Sequence, residues 1–162
     1  MKIMETAKMV EIKEVPWTDP DATALRARQR VEIAAVYGSP ESEPGPAPSA
    51  ADTAAFFVTY DARGTAVGCG GLRDLGGGTG EIKRMYVAPD QRGTGVAGLI
   101  LRTLEERARE LGWSRLRVET GSRLTAAIRC YTRAGYAPIP AYGPYVGAED
   151  SHCFERTLPP AP

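Results

Sequence analysis

The run Arg92-Gly-Thr-Gly95-Val-Ala-Gly98 is of the type and spacing that holds phosphate. Glycines remove side chains where the backbone must turn tightly. From Val96 the apolar residues Leu99, Ile100, Leu101, Leu104, Ala108 and Leu111 recur at helical spacing, and Gly112 ends the run. A glycine loop opening a helix leaves several N–H groups unpaired and pointing one way, with the positive end of the helix dipole behind them. Arg92 adds a cation at the mouth of that loop. The chemistry implied is capture of a phosphate or pyrophosphate by backbone donors.

The same residues satisfy G-x-G-x-x-G, and Glu119 follows at about the 20-residue distance at which a dinucleotide-binding unit holds a ribose. In such a unit the strand runs straight into the first glycine. Here Ala88-Pro-Asp-Gln-Arg92 separate Gly93 from the strand Ile82–Val87, and too little chain remains after Glu119 for the other strand–helix units. A nicotinamide-dependent reductase is therefore set aside.

Arg92-Gly-Thr-Gly95-Val-Ala97 also matches [Q/R]-x-x-G-x-[G/A], and by it the chain resembles the GNAT superfamily of N-acetyltransferases, in which that motif holds the pyrophosphate of acetyl-CoA. Val87-Ala-Pro89 resembles the end of that superfamily's fourth strand, and Ala127-Ile-Arg-Cys-Tyr-Thr-Arg-Ala-Gly135-Tyr136 resembles its A-x-x-x-Y-x-x-x-G-[FY] segment. The resemblance implies acetyl transfer from acetyl-CoA, as co-substrate, to a primary amine of a small molecule in a ternary complex. A catalytically silent acyl-CoA sensor that keeps the phosphate loop is the alternative.

Such a transfer needs a bound donor, a base for the amine and a proton for the departing thiolate. The resemblance implies that Arg92, Gly93, Thr94, Gly95, Val96 and Ala97 hold the pyrophosphate, that the strand edge at Met85 and Val87 pairs with the pantetheine arm and aims an N–H at the thioester oxygen, and that Tyr131 protonates the thiolate. Many relatives carry Asn where this chain has Leu124, so that position offers no amide to the pantetheine arm. For the base, Glu81 at the start of the central strand is the first choice and Glu119 the second. Arg73, Glu119, Tyr142 and Tyr145 are expected near the acceptor, as are Tyr37 and Glu41, while Lys83 and Arg84 read as solvated or as partners of CoA phosphates. Ile82 is out of step with Met85 and Val87, so a bulge is needed to bring all three to one face.

The 20 basic and 20 acidic residues among 162 balance, which argues against partners bound by bulk charge, nucleic acid and anionic membrane included. A signal peptide is not evident in Met1–Lys8, and a cytoplasmic protein is expected. Cys69, Cys130 and Cys153 lack metal-ligand spacing and read as reduced packing residues. No metal is expected, and dimerisation is expected from the family alone.

Positioning these residues falls to elements that the residue pattern also marks. Val10–Val15 alternates as a strand, and a helix runs from about Asp19 to Val36. Gly38–Asp52 is a Pro-, Ser- and Glu-rich loop. Ala54–Tyr60 and Thr65–Leu72 flank a turn, Asp61-Ala-Arg-Gly64, as a hairpin, with Cys69-Gly-Gly71 marking a bend or a close approach. The central strand, the helix from Val96, a strand Ser114–Thr120, a helix Thr125–Ala134, and strands from Tyr136 and Cys153 complete the order. The fold class is α/β (α+β): a single GNAT domain over residues 9–162, with a mixed sheet of six to seven strands and helices on both faces. Residues 1–8 are expected to be a disordered extension.

Overall fold

A computed structural model describes residues 10–39 and 43–160 of the chain. The N-terminal extension and Glu41 lie outside the described residues. Seven strands form one sheet: β1 (Glu11–Glu14), β2 (Thr53–Tyr60), β3 (Ala66–Gly76), β4 (Thr79–Val87), β5 (Arg115–Gly121), β6 (Ala137–Ile139) and β7 (Ser151–Thr157), in spatial order β1-β2-β3-β4-β5-β7-β6. All neighbours are antiparallel except β4 and β5. Three helices join them, α1 (Pro20–Tyr37), α2 (Val96–Glu110) and α3 (Thr125–Arg133). The element order expected from the sequence is the observed one, although β3 runs on to Gly76 and β7 begins two residues earlier, at Ser151.

The two sheet faces carry separate cores. Phe56, Val58, Cys69 and Tyr86 meet Ala22 and Leu25 of α1, while Phe57, Leu72, Ile82, Leu116, Val118 and Phe154 meet Ile100, Leu101 and Leu104 of α2 and Tyr131 of α3. Asp19 caps α1 by accepting the Ala22 N–H at 3.0 Å, with Pro20 at the first helical position, which needs no donor. The glycines of β3 serve helix packing. A Cβ on Gly70 would lie 3.0 Å from Ile100 Cγ2 and 3.3 Å from Leu104 Cδ1, so its hydrogen lets α2 sit down on the sheet.

Two irregularities of β4 open its edge. It pairs with β5 only at Thr79, Gly80 and Glu81, and beyond Glu81 the two parallel strands part. On its other side the register with β3 slips between Cys69↔Tyr86 and Gly71↔Lys83, where Arg84 sits at φ 55°. A left-handed non-glycine residue inside a strand costs on the order of 1–2 kcal/mol and marks a bulge. The bulge restores parity: Ile82, Met85 and Val87 all pack toward the α2 core, as the sequence required.

Candidate active site

Where β4 and β5 separate, a cleft of about 310 Å³ opens, walled by Ile82–Met85 on one side and Val118–Gly121 on the other. α1 contributes Gln29, Ile33 and Tyr37, α3 contributes Ala127 and Tyr131, and the two long loops contribute Glu43, Pro44 and the segment Ala148–Ser151.

Pairing along β3 alternates, so a strand residue turns both its N–H and its C=O to the same side. Ala88 N–H donates to Val67 O at 2.8 Å, which turns the groups of Val87, and two residues back those of Met85, toward the parting with β5. Their carbonyls are already partnered. Gln29 Nε2 donates to Met85 O at 2.8 Å and Arg92 Nε to Val87 O at 3.0 Å. What this open edge offers an incoming amide is N–H groups.

Beyond β4, Ala88 leads through a turn of 3₁₀ helix, Pro89–Gln91, to Gly93 and Gly95, both at positive φ (77° and 94°). Gly95 is the N-cap of α2 and has no side-chain cap, so the first N–H groups of the helix lack an internal partner. Thr94 Oγ1 is turned back onto Gln91 O at 2.5 Å. The Arg92 guanidinium is less free than expected: besides Val87 O it pairs with Glu32 of α1 at 2.6 Å.

Tyr131 is 6% exposed and meets Tyr136 edge-on at 5.9 Å. Burial pushes its phenol well above the usual value, with the charge of Glu119 adding to the shift, so it holds its proton. Among the described residues its hydroxyl has no hydrogen-bond partner. Glu119, partly buried on the facing strand, accepts from Ser151 Oγ at 2.7 Å. Burial raises its carboxyl above the ordinary carboxylate value, only partly offset by the Ser151 hydroxyl and the charge of Lys83.

The other expected site residues are brought together, but in a different place. Glu81 does not line the cleft; it is 1% exposed and lies under the loop before β7. Its Oε2 accepts from Tyr142 OH at 2.6 Å and Tyr145 OH at 3.0 Å, and its Oε1 pairs with Arg73 Nη1 at 3.4 Å. Arg73 also pairs with Asp52 at 3.0 Å and donates to Pro46 O at 3.2 Å, so its guanidinium is held by the loop before β2. These four residues form a buried clamp that ties both long loops to the sheet.

Lys83, expected to be solvated or to meet a CoA phosphate, is 6% exposed, because the loop carrying Tyr145 covers its face of the sheet. Its Nζ donates to Glu43 Oε2 at 2.8 Å and to Tyr145 OH at 3.1 Å, and Arg84 Nη1 reaches the same Glu43 oxygen at 3.0 Å. Burial alone would push the Glu43 carboxyl up, but the two cations outweigh it and hold it below its ordinary value. Tyr37 lines the cleft as expected and accepts from the Arg123 N–H at 3.0 Å. Gln29 and Glu43 carry no comparable signal in the sequence. Gln29 is one polar residue among several on α1, and Glu43 sits in a low-complexity loop some 40 residues from its partners.

The three cysteines are free, Cys69 and Cys153 are buried, and burial pushes the Cys69 thiol up to about 12, which suits packing rather than nucleophilic attack. Among the described residues no helix is long and apolar enough to cross a membrane, and no cluster of His, Cys, Asp and Glu has metal-site geometry.

Known proteins share this fold and are similar to this chain in sequence. The family model described as "Acetyltransferase (GNAT) family" matches residues 9–136, and the chain belongs to that family. A solved Klebsiella pneumoniae structure, described as a candidate acyl-CoA N-acyltransferase, superposes with a TM-score of 0.80 at 31% identity, covering 93% of this chain and 98% of that one. A GNAT family acetyltransferase from Elizabethkingia anophelis, solved with acetyl-CoA bound, shares the fold at TM-score 0.69 and 16% identity over 93% of this chain and 99% of its own. Among curated proteins, the IAA acetyltransferase of Azospirillum brasilense is 40% identical over 90 residues, 55% of this chain and 59% of that protein. The match thus spans about three fifths of that relative's length.

Proposed function

We propose that this protein is an N-acetyltransferase that moves the acetyl group of acetyl-CoA directly to a primary amine of a small molecule within a ternary complex. The observation that carries this reading is the parting of β4 from β5 beyond Glu81, with the open N–H edge of Met85, continued past the cleft by Val87, on one wall, Glu119 on the other, and Tyr131 of α3 also lining the cleft. Family membership adds the donor, and the uncapped loop from Gly93 to Ala97 supplies N–H groups for its pyrophosphate.

In this reading the pantetheine arm lies along the β4 edge, and a backbone N–H there polarises the thioester carbonyl as negative charge develops on its oxygen. Glu119 takes over the base role first sought at Glu81, because Glu119 lines the cleft and Glu81 is committed to Arg73 and two tyrosines. A carboxylate raised by burial is better matched to an ammonium than an ordinary one. The ammonium gives up one proton to Glu119 before attack. The neutral amine adds to the thioester carbon, and the C–S bond breaks as the tetrahedral adduct collapses. Tyr131 gives its proton to the leaving thiolate, the adduct nitrogen's second proton passes through water to the phenoxide, and Glu119 releases its proton to solvent.

Thiol release from acetyl-CoA across a panel of primary amines tests the proposal. Amine-dependent release with matching N-acetyl product supports it. Tight acetyl-CoA binding without release for any amine would instead make the protein a silent acyl-CoA sensor.

A further inference from the structure

Among the described residues six charged side chains line the cleft, four carboxylates (Glu43, Glu119, Glu149 and Asp150) and two cations (Lys83 and Arg84). Both cations pair with one oxygen, Glu43 Oε2, at 2.8 and 3.0 Å. Among the described residues of the cleft, the buried polar atoms left without a partner are of one kind. Gln29 Oε1 and Glu43 Oε1 are buried without a hydrogen-bond partner, and Gln29 cannot turn its amide round because Nε2 is held by Met85 O. Both are acceptors, and both belong to residues that line the cleft. A buried acceptor left unpaired is costly, so these positions favour a ligand that brings N–H donors.

Resting on the acetyltransferase reading, we propose that Glu43 is a specificity-determining residue: it occupies the two cations of the cleft, Lys83 and Arg84, from within, so that the acceptor is an amine with no carboxylate beside its reacting nitrogen. An α-amino acid must displace a carboxylate that is already tethered at the cations, and so present at high effective concentration. Its own carboxylate would also stand among Glu119, Glu149 and Asp150. A plain amine meets neither obstacle, and its N–H groups match the free acceptors.

The loop makes this arrangement a fixed one. Pro46 O and Asp52 are both gripped by Arg73, and a Cβ on Gly45 would lie 2.6 Å from Pro144, so Glu43 is carried by a strap held at several points. Exclusion by a held group works through repulsion as much as through missing attraction.

The test uses matched acceptors that differ only at the carboxylate: tyramine with tyrosine, phenethylamine with phenylalanine, and phenylalaninamide as the uncharged analogue. For the wild-type protein, kcat/KM from thiol release is expected to be at least about tenfold higher for the amines and the amide than for the amino acids, a factor worth about 1.4 kcal/mol. Glu43→Ala, which frees Lys83 and Arg84, is expected to cut that ratio about tenfold by raising the amino-acid rates, with Glu43→Gln intermediate. Amino acids used as well as amines by the wild type, or a ratio unmoved in a folded Glu43 variant, would overturn the inference and leave the acetyltransferase reading standing. Absence of thiol release with every acceptor would overturn that reading, and this one with it.

Discussion

Gln29, on the helix that covers one face of the sheet, donates a 2.8 Å hydrogen bond to the carbonyl of Met85, the residue that follows the bulge in β4. The bond occupies an edge carbonyl that lost its partner when β5 turned away, and so fixes the wall along which the pantetheine arm is proposed to lie. Gln29→Leu leaves that carbonyl unpaired in a partly dry cleft, a loss of about 1–3 kcal/mol. Urea unfolding should show it as a lower midpoint at unchanged m-value.

Tyr131 and the coenzyme are coupled only through the leaving group in the proposed mechanism. Tyr131→Phe should therefore lower kcat by about 10²-fold or more, the usual worth of a positioned acid, while calorimetry gives an unchanged Kd for acetyl-CoA. An unchanged kcat would remove the phenol from the chemistry.

Glu119 titrates above the ordinary carboxylate value because burial disfavours its charge. The base must be ionised to act, so kcat/KM should rise with pH through that raised value and level off above it. Glu119→Gln should remove this limb along with most of the activity. Linkage fixes the sign for stability: the folded state holds this proton more tightly than the unfolded one, so Glu119 disfavours folding increasingly as pH rises from the ordinary Glu value through the raised one. Glu119→Gln should accordingly stabilise the protein at neutral pH and not in acid, as thermal melts at the two pH values would show.

Glu81 is expected to behave in the opposite way. Its removal strands the Arg73 guanidinium and two tyrosine hydroxyls in a buried clamp, and breaking such a pair costs about 3–5 kcal/mol. Glu81→Leu should lower the melting temperature markedly, and the folded fraction should keep a pH–rate profile of wild-type shape. Loss of the acidic limb in Glu81→Leu, with the limb kept in Glu119→Gln, would return the base role to Glu81.

Much of this arrangement is legible in residue order. The glycine loop, the helix behind it and the need for a bulge follow from local spacing, and Ile82 against Met85 and Val87 is enough to require the irregularity found at Arg84. Glu81 and Lys83 mislead because they alternate with Ile82 as charges do on an open strand face. That face is closed by a loop some 60 residues later, whose Tyr142 and Tyr145 bury both charges. Such covering is long-range and leaves no periodic trace in the sequence. The loop proposed to hold the pyrophosphate is legible because its chemistry is backbone chemistry, whereas the wall proposed to face the acceptor is assembled from side chains of α1, two loops and β5.

A crystal structure of the protein with acetyl-CoA tests the central claim most directly. The pyrophosphate should lie within hydrogen-bond reach of the N–H groups between Gly93 and Ala97, with the thioester between the Met85–Val87 edge and Tyr131. A coenzyme bound outside the parting of β4 and β5, or a thioester turned away from Tyr131, would contradict it.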